Sequence, residues 1–194
     1  MTPHIMTFTG KLVNPLDVKT EELDIVDIAH ALSNINRFNG HVRLPINVAQ
    51  HSVFVAQLVS KPHRKQALLH DASEAYLGDI TKWLKAAPEF AAYREAEDRL
   101  QRLIFRTFGC AEELASEVED ADVLMVRHEA EQGFGNLWRP PSDKYGLVTE
   151  LERKRIGFWT PWGHSSSEAR FLMRWTTLTR EQRRLSERPD EAQG

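Results

Sequence analysis

The sequence predicts an all-α fold. Three observations carry that reading: apolar residues recur at helical spacing from Asp24 onward, strand-like alternation is confined to the first residues, and Gly, Pro and Asn punctuate the helical stretches. With 194 residues and 41% hydrophobic content, the chain can bury a sizeable core. Its 25 basic and 28 acidic side chains leave a formal charge of -3, which removes the electrostatic case for a dedicated nucleic-acid binder. The single cysteine, Cys110, excludes an intrachain disulfide framework and a Cys-rich zinc site. No apolar run approaches the ~18 residues of a membrane span. The opening MTPHIMTFTGKLVNP shows neither the basic nor the apolar stretch of a leader. These features predict a cytoplasmic protein with no membrane partner.

Taken in order, Thr7 to Val13 predicts a short N-terminal hairpin or extended arm, with Gly10 supplying the turn. A first helix runs from about Asp24 to Leu32 or slightly beyond, with Ile25, Ile28, Ala29 and Leu32 on one face. NINRFNG, residues 34–40, breaks it. Pro45 and Asn47 open a second helix whose stripe is Val48, Ser52, Val55, Ala56 and Val59, with His51 on or beside it. The next helix starts at Pro62, contains QALLHDASEAYL and stops at Gly78. EFAAYREAEDRLQRLIFRTF, after Pro88, has the best helical period and ends at Gly109. A further helix spans Ala111 to about Glu131 and is closed by Gly133. From Gly133 to Gly163, Gly, Pro and Trp crowd together around one charged, helix-like stretch, which reads as an ordered aromatic loop region. Ser165 followed by Glu168 is a capping-box pattern for a final helix pair toward Leu185. The organisation expected is one domain over residues 1–185 and a frayed tail over 186–194, with no internal repeat.

The residues that carry chemistry are His51, the adjacent His70 and Asp71, and Asp122, each expected on a helix. Imidazole and carboxylate together are hard-to-borderline ligands suited to Zn, Mn, Fe, Co or Ni. Asp122 lies in the stripe of Leu114, Val118, Ala121 and Met125, while Asp120 projects away from it. A carboxylate buried there needs a partner, and a cation is the obvious one. Each residue alone also has an ordinary structural reading: His51 as a satisfied core histidine, Asp122 as a carboxylate paired with an arginine or a backbone amide. Glu74 follows Asp71 by three residues and His70 by four, so it shares their face as an uncoordinated carboxylate.

The order His51, His70-Asp71, Asp122 resembles the H...HD...D signature of HD-domain metal-dependent phosphohydrolases. The runs ALLHDASEAYLGDI and DIAHALSNINRFNGH...VAQHS resemble the branch of 5'-deoxynucleotidases and phage-type deoxynucleoside triphosphate phosphohydrolases, over roughly residues 24–130. The resemblance implies an HD-domain helical bundle in which His51, His70, Asp71 and Asp122 hold one divalent metal ion (Co, Mn, Zn or Fe). That ion would act as Lewis acid and activator of the nucleophile. Glu74 and Asp79 would match the catalytic acid or base and its partner, Arg37 the phosphate-contacting arginine, and Phe38 the aromatic ring beside the nucleoside. The family's lysine after the Gly-Asp pair would be Lys85 or Lys82, with Lys85 favoured. The chain departs from the well-characterised nucleotidases at Phe38, where they carry tryptophan, and Asn39 and Gly40 follow it. The lack of a GYP motif argues against the cyclic-dinucleotide phosphodiesterases of the same superfamily.

The expected activity is removal of phosphate from a nucleotide, most simply a deoxynucleoside 5'-monophosphate. The alternatives are a deoxynucleoside triphosphate (dATP-type) phosphohydrolase and, in another class, a non-catalytic helical metal-binding regulatory protein. The relatives imply a homo-oligomer, a dimer or larger. Blander roles are expected for His30 and His41 at the surface or in caps, for His128 facing solvent or salt-bridged, and for the five tryptophans as core or interface rings. Cys110 is expected to be a buried structural thiol.

Overall fold

A computed structural model describes residues 3–186, so eight of the nine expected tail residues, 187–194, lie outside the described part. The fold is all-α with a small hairpin. Strands β1 (Ile5–Met6) and β2 (Leu12–Val13) pair antiparallel, Ile5 opposite Val13, around a turn that uses the positive φ of Gly10. Asp27 on helix α1 (Ile25–Asn34) accepts from both the Thr9 amide and hydroxyl and fastens the hairpin. Asp24 caps α1 by accepting from the Val26 amide.

Helix α2 (Val48–Leu58), capped by Asn47, is the centre of the molecule. The sequence shows one stripe, yet every residue from Val48 to Ala56 is buried, the pattern of a helix surrounded on all sides. It is packed by α1, by α3 (Arg64–Leu68), by α7 (Ser116–Phe134) and by α9 (His164–Ser186). Between these lie α4 (Glu74–Leu77), α5 (Lys82–Lys85), α6 (Ala91–Thr107) and, in the charged stretch of the aromatic region, α8 (Glu150–Ile156). Thr149 and Glu152 form the capping box of α8. Gln50 of α2 donates to the Thr160 carbonyl and accepts from the Trp162 amide, each at 2.8 Å. Buried polar groups thus order the loop between α8 and α9.

Four expected boundaries move, each for a visible reason. The segment from Pro62 to Gly78 is not one helix: residues 69–73 form turns between α3 and α4, so His70 and Asp71 sit in a break. Gln101 of α6 holds that break open, accepting from the Ser73 amide at 3.0 Å and donating to the Leu69 carbonyl at 2.7 Å, the two groups a continuous helix would join. The helix expected from Ala111 starts at Ser116, because Gln66 binds the carbonyls of Ala111 and Glu113 and the amide of Ala115. Gly133 lies inside α7 and Gly135, at φ +57, ends it. The expected final helix pair is one helix, with Ser165 in its first turn and Glu168 turned to His30 of α1.

Candidate metal centre

His51 is carried by the buried helix α2, and its ring is fully inaccessible. His70 and Asp71 enter from the break between α3 and α4, and Asp122 from the middle of α7. Three segments distant in sequence meet at one point. One ligand atom each from His51, His70 and Asp71 lie within 4.8 Å of one another. Asp122 Oδ1 stands beside this group as a candidate fourth donor, 3.0 Å from His51 Nε2 and 3.8 Å from His70 Nε2. His70 Nε2 is 3.3 Å from Asp71 Oδ2.

The ring orientations show how the cluster is built. His70 Nδ1 lies 2.8 Å from the carbonyl of Ala67; a carbonyl only accepts, so Nδ1 carries the proton and Nε2 is the free lone pair. His51 Nδ1 lies 3.1 Å from both carboxylate oxygens of Glu129 and donates to them, again turning Nε2 inward. Both Nε2 atoms are buried and face only carboxylate oxygens, His51 Nε2 at 3.0 Å from Asp122 Oδ1 and His70 Nε2 at 3.3 Å from Asp71 Oδ2. Two buried imidazole nitrogens of fixed orientation, facing two carboxylates, fit a hard-to-borderline divalent cation. Burial and Arg37 both oppose charge on His51, yet Glu129 and Asp122 push its pKa up to about 9. Burial alone would raise the Asp122 carboxyl, but the two imidazoles hold it well below the usual carboxylate range.

Asp71 and Asp122 line a cavity of about 450 Å³, shared with Arg37, Phe38, Glu74 and Asp79. Arg37 projects from the single turn Arg37–Gly40, in which Phe38 and Asn39 adopt positive φ. Its Nε is 2.9 Å from Glu129 Oε2 and its Nη1 donates to Asp71 at 3.4 Å. Glu74, nearly inaccessible, has its pKa raised well above the ordinary value, by burial first and then by the charges of Asp71 and Asp79. Asp79 is raised as well, by burial, with Arg37 opposing and Asp71 reinforcing. Lys85 donates to Glu97 at 2.8 Å and lies 4.0 Å from Glu74, while Lys82 is exposed at the rim; both line the cavity. Phe38 lines it too, with its ring edge-on to Phe134 at 5.6 Å.

All nine sequence-derived site residues therefore fall in or beside one cluster. Glu129 was missed. It is fully buried and joins His51 to Arg37; the signal that would have found it is its position seven residues after Asp122, two turns along the same face of α7. Two bystanders also differ from expectation. His128 is buried, with its ring edge-on to Trp159, rather than solvent-facing or salt-bridged. His30 is stacked on Phe8 at 3.8 Å and paired with Glu168. Cys110 is half-buried, and burial pushes its thiol up to about 11.

No family model matches the chain. It is 37% identical over 137 residues to the uncharacterized protein YfdR of Escherichia coli, an alignment covering 69% of this chain and 76% of that protein. It is 34% identical over 140 residues to the uncharacterized protein RCAP_rcc00048 of Rhodobacter capsulatus, covering 66% and 71% respectively. At that identity and coverage, the chain belongs to the family of YfdR.

Proposed function

We propose that the chain is an HD-domain, metal-dependent phosphohydrolase that removes phosphate from deoxynucleoside 5'-monophosphates. The observation that carries the reading is the convergence of two buried imidazole nitrogens on the carboxylates of Asp71 and Asp122, beside a buried arginine and two further carboxylates that take no part in the cluster. His51, His70, Asp71 and Asp122 would hold one divalent ion, Co, Mn, Zn or Fe. When bound, such an ion supplies Lewis-acid polarisation of a phosphoryl oxygen and acidifies water.

Arg37 binds and orients the phosphate. Glu129 and Asp71 occupy two faces of its guanidinium, which leaves further N–H groups to grip phosphate oxygens and fixes the direction in which they point. Glu74, whose pKa is raised by burial and by the charges of Asp71 and Asp79, is the group suited to hold or release a proton beside the phosphate, and Asp79, raised by burial, is the second at the same wall. Charge spreading over the phosphoryl oxygens is met by Arg37 and Lys85. The additional cations Lys82 and Arg94 on the cavity wall keep a triphosphate substrate as the second reading. The proposal takes the protein as cytoplasmic and homo-oligomeric.

The test is to strip the purified protein of metal, reload it separately with Mn, Co, Zn and Mg, and supply nucleoside mono-, di- and triphosphates, resolving products by chromatography. Release of phosphate from monophosphates supports the reading, and release of triphosphate or pyrophosphate moves it to the second. One ion bound per chain without turnover under any metal would favour a non-catalytic, regulatory role. His51→Ala abolishes both metal loading and turnover, whereas Glu74→Ala retains the ion and loses turnover. A Glu74→Ala protein that still turned over at the native rate would remove Glu74 from the chemistry.

A further inference from the structure

Trp83 is unlike the other tryptophans. Trp138 stacks on Phe134, Trp159 meets His128, Trp162 packs on Phe54 and Trp175 on Phe108, all of them ring contacts within the packed helices and loops. Trp83 is 51% exposed on the four-residue helix α5 and lines the cavity that holds Arg37, Asp71 and Asp122. Its ring contact is with Tyr145, at 5.7 Å between centroids and 58° between planes. A tryptophan left half in water gains only part of the stabilisation its area offers, and the tilt leaves ring surface uncovered.

The two rings are held from firm points. Lys85, two residues after Trp83, is bound to Glu97 of α6. Tyr145 is itself buried, and Arg127 of α7 donates to the carbonyls of Gly146 and Leu147, and to Glu152, just beyond it. Asp122 and Val126 of the same helix line the cavity. The Tyr145 side of the wall and the Asp122 carboxylate are thus tied to the same helix, α7, while Trp83 is held from α6 through Lys85.

We infer that Trp83 and Tyr145 form the specificity-determining wall that receives the planar aromatic base of a nucleotide whose phosphate lies at Arg37. The ligand's identity rests on the phosphohydrolase reading; the aromatic wall rests on the ring geometry alone. A volume of about 450 Å³ lies in the range of sites for small organic ligands. Stacking on Trp83 accepts any base, since every base has a π-face, so discrimination between bases falls to edge contacts and discrimination between nucleotides and bare sugar phosphates falls to the wall.

The test compares deoxyadenosine 5'-monophosphate with deoxyribose 5-phosphate, which carries the same sugar and phosphate without the base. In Trp83→Ala the preference for the nucleotide, measured as the ratio of kcat/KM values, falls about tenfold through KM, and Trp83→Phe keeps most of it. Independently of turnover, deoxyadenosine 5'-monophosphate quenches tryptophan fluorescence in the unmodified chain and not in Trp83→Phe. An unchanged ratio in Trp83→Ala, or a quench that survives Trp83→Phe, overturns the wall. If neither phosphate ester is hydrolysed but the quench depends on Trp83, the phosphohydrolase reading fails and the aromatic site stands. Hydrolysis without a Trp83-dependent ratio or quench is the reverse result.

Discussion

Glu129 donates no atom to the metal cluster, yet it touches two residues on which the site depends. Its carboxylate accepts from His51 Nδ1 and lies against Arg37 Nε, fully buried in the helix interface. Partners of this kind typically govern metal affinity by 10–100-fold, because they fix the ring and its tautomer. Glu129→Gln keeps an oxygen acceptor but loses the charge facing Arg37, and metal affinity measured by chelator competition is expected to fall about tenfold with the fold intact. Glu129→Ala leaves the buried guanidinium with Asp71 as its remaining ion-pair partner, and urea unfolding should show a loss of about 2–3 kcal/mol. If both variants bind metal as the parent does, Glu129 acts on Arg37 alone. The four donors were legible in the sequence because their types and order are unusual together. Glu129 was legible only as a position, two turns after Asp122 on the same face; its role was not, because a glutamate in a charged helix reads as solvated surface until its partner across the interface is known.

At the scale of elements, what the sequence conceals is where a helix is interrupted from outside. Periodicity reports which face is apolar, but not that Gln101 takes over the backbone groups at Leu69 and Ser73, or that Gln66 holds residues 111–115 out of α7. The first of these interruptions shapes the candidate site: the break in the third predicted helix is what lets His70 and Asp71 point into the same space. Gly133 is another case. It reads as a helix stop, but it sits inside α7 because a Cβ there would lie 2.6 Å from Val42 Cγ1 and 2.8 Å from Val42 Cβ. The Gly133 carbonyl also accepts from the Arg43 amide at 3.0 Å, so this contact seats the segment that follows Arg37. Gly133→Ala raises helix propensity locally by about 1 kcal/mol, yet it is expected to destabilise the protein by about 1–3 kcal/mol through overpacking. If Arg37 grips phosphate as proposed, the same variant should weaken binding of a nucleoside monophosphate by displacing the Arg37 turn. Adding Val42→Gly removes both clashing atoms and is expected to recover the placement of the Arg37 turn, whereas Val42→Ala, which keeps the Cβ at 2.8 Å, recovers only part of it. A single variant more stable than the parent in thermal melting would show that the contact is soft.

For the molecule as a whole, the candidate ion is a cross-link. Its donors come from the central helix α2, from the break between α3 and α4, and from α7, so three parts of the chain that are separate in the unfolded state are joined at one point. Without a cation, the same point gathers two carboxylates and two imidazoles in a buried space, with Arg37 and Glu129 packed against them, an arrangement that stabilises little by itself. An ion that binds only the folded chain adds stability by mass action: about 2.7 kcal/mol when its free concentration is 100 times the Kd. For a chain of this length each kcal/mol moves Tm by roughly 2–4 °C, so loading the metal-free protein should raise Tm by about 5–10 °C and a chelator should reverse it. The rise should disappear in His70→Ala, whose ligand nitrogen is gone, and persist in Glu74→Ala, whose carboxylate lies outside the donor set. A metal that binds without moving Tm, or moves it equally in His70→Ala, would be bound elsewhere on the chain, and the cluster would then be a network of buried ion pairs.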